Sequence, residues 1–400
     1  MTYLKILCFI DSLGSGGAQR QIATLAAGLK ARGHELRFLV YREDDHFLHL
    51  LQVSGISCRM IPPCSYIKRV CSVSSVLREG WQDVVLAFLE APSFYAEIAG
   101  IPRRRWALVV GERLADPGIK KVMSSWLRQF HRIADAVVSN SHTNRLMLEY
   151  MFPFLRSRLF TVYNTVDLKL FRPSLENTYE TIFCSEREFR IVIVASYQEK
   201  KNMMNVAKAL QRLKKIHRLQ SIVVHWFGAM PTGPSAFNNV ERFVIENDLS
   251  TSFYLHSATK DVEKEYLRAD VVALFSFYEG LPNVICEGMA CGKPILMSNV
   301  CDAGNLVKDG VNGFLCDPDS PEDIADKILH LFSLSEEERQ EMGKKSRLIA
   351  EQLFAEDLIV DRYEHLLISA AKCFKISNDC NWPDYVPKSA LKTVEKWKKS

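Results

Sequence analysis

Strand-like and helix-like patterns alternate along this 400-residue chain in two long stretches, and that alternation constrains the fold more than any other feature. Short apolar runs are each followed by a segment with helical periodicity, as residues 4–10 are followed by 18–31. This alternation of strands and helices favours parallel strands joined by helices that cover both faces of a sheet. The predicted strands are 4–10, 36–41, 84–88, 106–110, 136–139 and 159–163 in the first stretch, and 190–195, 221–227, 252–255, 271–275 and 294–298 in the second.

A polar break at 171–188, which contains Pro173, separates the two stretches and is typical of a linker. We therefore predict an α/β protein with two doubly wound, Rossmann-like domains, 1–170 and 186–360, that face a central cleft. In such sheets, ligands bind beyond the carboxyl ends of the strands. Residues 361–400 are expected to form a C-terminal helix and a tail that returns to the N-terminal domain.

Composition argues against several classes of protein. Hydrophobic residues make up 48% of the chain and charged residues 24%, and a net charge of +4 gives no argument for a nucleic-acid partner. The 11 cysteines are scattered without a CxxC pair, so we expect reduced thiols rather than a disulfide framework or a zinc site. We expect neither a signal peptide nor a membrane span. The predicted location is cytoplasmic, with peripheral contact at the inner face of the cell membrane left open.

The segment Gly14–Gly17 follows the first predicted strand and opens the first predicted helix. Free N–H groups at a helix N-terminus favour an anion such as phosphate, and glycine lets a ligand approach the backbone closely. The spacing is not GxGxxG, and the second strand ends at Tyr-Arg rather than at an acidic residue, which argues against an NAD site. The alternatives are a tight turn without a ligand and a phosphate site formed by Gly16, Gly17 and Arg20.

The segment FYEGLPNVICEGMACGKP (277–294) carries two glutamates around a Gly/Pro turn. Because it follows the predicted strand 271–275, we expect Glu279 at the carboxyl end of that strand and Glu287 on the first turns of the next helix. The amides that open this helix suit an anion, and carboxylates accept paired hydrogen bonds from the hydroxyls of a sugar or a ribose. The alternative is a solvated helix start, where acidic residues are common.

With GLPNV between the two glutamates, and GMACGKP and DGVNGFL after them, this region resembles the E-x7-E region of retaining glycosyltransferases of family 4, which have the GT-B fold. The order of motifs is similar over nearly the whole chain. A Gly-rich loop lies near the start, the segment YNTVD (163–167) stands where the family often has N-G-V-D, and a lysine follows the first strand of the second domain.

The resemblance implies a retaining, metal-independent enzyme without a cofactor. It would transfer a hexose or an N-acetylhexosamine from a nucleoside-diphosphate sugar, UDP-linked in our main hypothesis, to a glycan or lipid-linked acceptor in polysaccharide or glycoconjugate biosynthesis. Glu279 matches the glutamate that contacts the transferred sugar, and Glu287 the one that binds the ribose. The backbone amides expected to contact sugar or diphosphate are those of Gly280, Leu281, Asn283 and Val284.

Lys201 matches a lysine that neutralises the leaving diphosphate in this family. The arginine that family members usually carry just before it is missing, because no arginine occurs from 191 to 211. Lys200, or Arg20 at the Gly-rich loop, is expected to replace that charge; otherwise the activity is reduced. The diphosphate would then lie between the Gly14–Gly17 loop and Lys201.

The loop after the predicted strand 106–110 carries Glu112 and Arg113, where many relatives place a histidine near the sugar. We expect Glu112 to take part in catalysis by contacting an acceptor hydroxyl or the sugar, and Arg113 to contact an acceptor phosphate. The alternative is an ordinary ion pair on a loop. His131 is expected on a helix, and Glu90 at the rim of the cleft.

A basic and aromatic cluster in the first domain suits an anionic membrane surface, with a solvated basic face as the alternative. Two other functions stay open beside the transferase. One is a catalytically weak GT-B protein that binds partners in a glycan assembly, which the missing arginine suggests; the other is a UDP-sugar epimerase, which would lack the E-x7-E pattern. The cluster consists of Lys68, Arg69, Arg103, Arg104, Arg105, Trp106, Lys120, Lys121, Trp126, Arg128 and Phe130.

Overall fold

A computed structural model describes residues 3–113, 126–174, 188–230 and 236–376 of the chain. The chain divides into two compact units, one formed by 1–165 with 356–400 and the other by 166–355. Each unit is built on a parallel sheet flanked by helices, so the predicted fold class is confirmed. Most of the predicted linker lies outside the described residues, and 171–174 belong to the second unit.

The first unit contains a sheet of seven parallel strands in the order β3-β2-β1-β4-β5-β6-β7. Its central strands are buried along their whole length, as expected for a sheet that is covered on both faces. The strands are β1 (Lys5–Phe9), β2 (Glu35–Val40), β3 (Ser57–Met60), β4 (Val84–Phe88), β5 (Ala107–Glu112), β6 (Ala136–Ser139) and β7 (Leu159–Thr161).

The second unit contains six parallel strands in the order β10-β9-β8-β11-β12-β13. The strand order reverses between β8 and β11, as it does between β1 and β4 in the first unit. In open parallel sheets, this reversal leaves a crevice at the carboxyl ends of the two strands, where ligands bind. The strands are β8 (Phe189–Val194), β9 (Ile222–Gly228), β10 (Phe253–Ser257), β11 (Val271–Leu274), β12 (Ile295–Ser298) and β13 (Gly313–Cys316).

Helices connect these strands in both units. The last of them, Glu356–Ile376, packs against the first helix of the first unit, where a Cβ at Gly28 would lie 2.5 Å from Val360 Cγ2. None of the helices in the described ranges has the length and hydropathy of a membrane span. The helices are α1 (Gly17–Ala31), α2 (Leu48–Val53), α3 (Tyr66–Arg78), α4 (Glu90–Ala99), α5 (His142–Met151), α6 (Met203–Lys215), α7 (Ala236–Glu246), α8 (Val262–Arg268), α9 (Asn283–Ala290), α10 (Ala303–Leu306), α11 (Pro321–Ser333), α12 (Glu336–Phe354) and α13 (Glu356–Ile376).

The cysteines follow the prediction with one exception. Eight described cysteines are free thiols, whereas Cys373 is disulfide-bonded. The expectation of reduced thiols is therefore wrong at Cys373, because the spacing of cysteines in a sequence does not reveal which of them the fold brings together.

Candidate active site

Two loops meet at the point in the second unit where the strand order reverses. One follows β8 and the other follows β11, and the two strands are hydrogen-bonded neighbours. The N–H of Phe277 donates to the carbonyl of Lys200 at 2.9 Å, and the side-chain amide of Asn202 donates to the carbonyl of Phe275 at 3.0 Å. These bonds hold the predicted Lys and Glu loops against each other.

Lys201 and Glu279 form an ion pair across these loops, although 78 residues separate them in the sequence. The same Glu279 oxygen accepts a hydrogen bond from the hydroxyl of Ser276 at 2.7 Å. The side chains of Lys201 and Glu279 are only 16% and 14% exposed, so both charges are largely shielded from water. The structure thus places a cation suited to a phosphate oxygen beside a carboxylate suited to a hydroxyl. Lys200, the predicted replacement for the missing arginine, lies with its ammonium 5.8 Å from the ring centre of Tyr278.

Glu287 is buried on α9, the helix that follows the loop carrying Glu279. Its side chain accepts a hydrogen bond from the hydroxyl of Tyr266 at 3.2 Å, and the residue is only 4% exposed. The alternative of a solvated helix start is therefore wrong for Glu287. A Cβ at the next residue, Gly288, would lie 2.7 Å from Val272 Cγ1, so glycine allows α9 to pack this closely on β11.

The predicted amides precede and open α9, which begins at Asn283 after Pro282. The N–H groups of a helix's first turn have no partner within the helix and can bind an anion. Gly280 and Leu281 are buried, while Asn283 and Val284 are half-buried. The helix start therefore follows directly on the loop that carries Glu279.

The Gly-rich loop of the first unit joins β1 to α1, and Gly16 and Gly17 are exposed at the start of that helix. Asp44 lies against the other end of the loop, because a Cβ at Gly14 would come 2.2 Å from its carboxylate oxygen. A negative charge there would repel a phosphate at Gly14. The part of the loop that suits an anion is therefore Gly16 and Gly17, with Arg20 on the first turn of α1.

In the same unit, Gln21 of α1 exchanges hydrogen bonds with the backbone of Thr165 at 2.7 and 2.9 Å.

Glu112 belongs to a strand rather than to the predicted loop. β5 is longer than expected, and its last residues, Gly111 and Glu112, pair with β6. The carboxylate of Glu112 is buried and accepts hydrogen bonds from Arg128 at 3.0 Å and from His131 at 2.9 Å. The prediction of a loop position is wrong because the strand extends to Glu112, where the two cations compensate the burial of its charge.

A charged network extends from Glu112 in both directions. The other ring nitrogen of His131 lies 2.5 Å from Glu97, which is fully buried on α4, and Arg128 pairs with Glu90 at 3.1 Å. His131 itself lies on a short 3-10 segment, Gln129–Ile133. Sequence reasoning missed this network, although a glutamate on the apolar face of α4 was a signal for it, because a buried carboxylate needs a partner.

Burial and charge act in opposite directions on the pKa values in this network. Burial alone would raise the pKa of Glu112, but Arg128 and His131 outweigh burial and lower the pKa to about 2. Burial alone would lower the pKa of His131, but Glu97 and Glu112 outweigh it and raise the pKa to about 9. His131 is therefore an imidazolium at neutral pH, held between two carboxyl groups.

Arg113 is held by three neighbours within the first unit. Its guanidinium lies 3.6 Å from the ring centre of Phe88 and donates to Asn164 at 3.1 Å and to the hydroxyl of Tyr363 at 2.6 Å. These contacts connect the end of β5 with the YNTVD segment and with α13. Its predicted contact with an acceptor phosphate stays a prediction.

Comparison with known proteins assigns the family. The profile of the family "Glycosyl transferases group 1" matches residues 180–348, and that of "Glycosyltransferase Family 4" matches residues 15–170. The chain belongs to the group 1 and family 4 glycosyltransferases. The first match contains the Lys201–Glu279 pair and Glu287, and the second contains Gly16, Gly17 and Glu112.

Individual relatives are distant. An uncharacterized glycosyltransferase of Methanocaldococcus jannaschii is 34% identical over 112 residues, and the match covers 28% of this chain and 32% of that protein. The chain therefore spans about a third of the length of this relative. An α-1,4-N-acetyl-D-galactosaminyltransferase of Campylobacter jejuni, named for a PP-undecaprenol-linked glycan, is 24% identical over 81% of this chain and 88% of its own length. The crystal structure of HepE from Anabaena in complex with UDP has a TM-score of 0.79 at 19% identity, over 91% of this chain and all of that one.

The predicted basic and aromatic cluster of this glycosyltransferase is only partly a surface. Trp106 is a core residue, Arg104 pairs with Asp135 at 2.5 Å, and Arg128 belongs to the buried network. These side chains satisfy charges or pack inside the unit, which contradicts their place in a membrane surface. Lys120 and Lys121 lie outside the described residues.

Trp126 of the cluster is exposed, and so are two residues of α3 that precede Lys68 in the sequence. Tyr66 and Ile67 on α3 are 54% and 75% exposed, and Trp126 is 54% exposed. Phe94 and Tyr95 on α4 connect them, because a row of ring contacts runs from Tyr66 to Trp126 with centres 5.6 to 6.2 Å apart. We call Tyr66, Ile67, Trp126 and these connecting rings the aromatic ridge.

Among the described residues, no group of three or more His, Cys, Asp and Glu side chains is arranged to hold a metal ion.

Proposed function

We propose that this glycosyltransferase moves a hexose or an N-acetylhexosamine from a UDP-sugar to a glycan or lipid-linked acceptor, with retention of the anomeric configuration and without a metal ion. The observation that carries the proposal is the Lys201–Glu279 pair at the strand-order reversal of the second unit. The complex of HepE with UDP and the undecaprenol in the name of the Campylobacter relative support the choice of donor and acceptor.

The second unit would bind the donor. Lys201 would neutralise the charge that develops on the leaving diphosphate, and the first-turn amides of α9 would add further donors for its oxygens. Glu279 accepts hydrogen bonds from hydroxyls of the transferred sugar, and Glu287 from those of the ribose. In the free protein, Lys201 and Glu279 bind each other. On binding, the diphosphate of the donor would also contact Lys201, and the hydroxyls of its sugar would also contact Glu279.

Transfer on the front face of the sugar fits these residues. The bond between the anomeric carbon and the phosphate oxygen breaks, and the acceptor oxygen bonds to the same face of that carbon. The acceptor proton passes to an oxygen of the leaving phosphate, so this route needs no side chain as general base. The protein then contributes orientation of the reactants and stabilisation of the leaving charge.

The first unit would receive the acceptor. The buried network keeps Glu112 ionised at neutral pH, at the end of β5, with Glu90 at its more exposed edge. The aromatic ridge, with Lys68 beside it on α3, suits the interface of an anionic bilayer, where aromatic rings lie at headgroup depth. A lipid-linked acceptor would be reached from such a surface.

A catalytically weak binding protein is the second candidate, and the missing arginine before Lys201 favours it. Both candidates bind a nucleotide-sugar, and they differ in whether the sugar is transferred. The two functions therefore separate only in an assay of transfer.

A screen of thermal stability with UDP-, GDP- and ADP-sugars tests donor binding. A ligand at about 100 times its dissociation constant stabilises the folded protein by about 2.7 kcal/mol, so UDP-sugars should raise the melting temperature measurably. The Glu287→Gln variant should lose most of this increase in melting temperature. The control is Glu246→Gln on α7, the same substitution at a distant position in the sequence, which should keep the increase. The absence of a shift with every donor would overturn the proposal.

A further inference from the structure

Cys301 adopts a backbone conformation that favours glycine. It lies in the turn after β12, with φ of 52°, in the left-handed region that few residues other than glycine occupy without cost. It is also almost fully buried, at 3% exposure. A side chain kept in such a conformation indicates that its contacts offset the strain.

Those contacts are to the backbone of Glu279. The sulfur of Cys301 accepts a hydrogen bond from the N–H of Glu279 at 3.0 Å, and its S–H donates to the carbonyl of Glu279. The thiol therefore satisfies both main-chain groups of one residue in a loop that has left the ladder of β11. A thiol is both a weak donor and a weak acceptor, and it is apolar enough for this buried place.

The side chain and the backbone of Glu279 are thus held by different residues. Ser276 and Lys201 bind its carboxylate from the two neighbouring loops, whereas Cys301 binds its main chain from the turn after β12. Burial raises the pKa of the Cys301 thiol well above its ordinary range, so the thiol keeps its proton and remains a donor at neutral pH.

We propose that Cys301 is a positioning residue for the donor sugar, because it fixes the backbone from which Glu279 reaches that sugar. The inference rests on the proposed function in one respect, namely that Glu279 contacts the sugar. It adds that the sugar contact depends on a thiol that does not itself touch the substrate, and that nucleotide binding at Glu287 does not depend on it.

Three substitutions distinguish the effect of the thiol's hydrogen bonds from the effect of the backbone conformation at residue 301. Cys301→Ser keeps a donor and an acceptor, Cys301→Ala removes both, and Cys301→Gly removes both while relieving the left-handed strain. Cys316→Ala is the matched control, because Cys316, the last residue of β13, is likewise a buried free cysteine. If only the conformation of the turn mattered, the Gly variant would behave like the wild type.

Calorimetric titration with UDP-N-acetylglucosamine, UDP-glucose and UDP measures the effect without an acceptor. The Ala and Gly variants should bind the sugar nucleotide that the wild type binds about 10-fold more weakly, with UDP affinity changed less than about 2-fold, since two hydrogen bonds are lost at the sugar loop only. The Ser variant and the Cys316→Ala control should stay within about 3-fold of the wild type for both ligands. Sugar-nucleotide binding by the Ala and Gly variants equal to that of the control would overturn the proposal.

Hydrogen exchange of the Glu279 amide provides a readout that is independent of any ligand. The amide should be protected in the wild type and the Ser variant, and exchange at least about 10-fold faster in the Ala and Gly variants. Equal exchange in all variants would contradict the positioning role. If the wild type binds no sugar nucleotide, the proposed function fails, and amide exchange still decides whether Cys301 fixes the loop.

Discussion

Replacement of Lys201 with methionine should affect both activity and stability, because this residue is the cation of a largely buried pair. The change keeps the unbranched, apolar part of the side chain and removes the ammonium. The side chain of Glu279, which is 14% exposed in the wild type, is left with Ser276 as its partner. Loss of one partner lowers the free energy of unfolding by about 3–5 kcal/mol in a fully buried ion pair and by about 0–1 kcal/mol at the surface. For this largely buried pair we expect a loss of about 1–3 kcal/mol. In a unit the size of 166–355, about 2 kcal/mol lowers the melting temperature by about 4–8 °C.

The same substitution should lower kcat/KM by about 100- to 1,000-fold, because the charge that develops on the leaving diphosphate loses its cation. The double variant Lys201→Met with Glu279→Gln should recover most of the stability, since no unpaired carboxylate remains, but it should not recover activity. The loss of kcat/KM is measured by UDP release with a polyprenyl-linked glycan as acceptor. The loss of stability is measured by thermal unfolding, followed by circular dichroism. A Lys201→Met enzyme with wild-type kcat/KM would refute the assigned role, and a double variant as unstable as the single one would refute the charge argument.

Two further predictions concern the first unit. The pKa of His131 is raised from 6.5 to about 9, so its stabilising effect is complete below pH 6.5 and disappears as the pH rises through 9. Urea unfolding should show the wild type losing about 2–3 kcal/mol more than His131→Gln between pH 6.5 and 9.5, and parallel profiles would contradict the imidazolium between two carboxyl groups. For the aromatic ridge, Ile67→Asp with Trp126→Ser should reduce sedimentation with vesicles of anionic lipid at least about 10-fold while leaving UDP binding unchanged. Equal sedimentation of this variant and the wild type would rule out the ridge as the membrane contact.

The sequence predicted most of the strands because buried parallel strands are apolar runs bounded by turns, and runs such as 84–88 and 136–139 match the structure at both ends. Two strands were missed. β3 has the sequence SCRM and lies at an edge with largely exposed side chains, so it lacks the apolar run. β13 is only GFLC, which is too short to show a pattern.

The positions of Lys201 and Glu279 after two strands were predictable because each residue lies in a continuous motif that follows an apolar run. Lys201 and Glu279 come together because β8 and β11 are neighbouring strands, and the sequence did not predict that adjacency. The network around Glu112 was not predictable, because its members come from β5, α4 and a 3-10 segment, and only tertiary packing brings their charges together. Cys301 was missed for the same reason, since a single cysteine after a strand carries no pattern.

Proton NMR of the first transfer product tests the central claim most directly. The wild type would be incubated with an α-linked UDP-sugar that it binds and with a polyprenyl-linked glycan, and the anomeric signals would be followed alongside the release of UDP. We predict a new α-anomeric linkage that forms as UDP is released and that is lost in Glu279→Ala. A β linkage would contradict retention, and full transfer by Glu279→Ala would contradict the role of the Lys201–Glu279 pair.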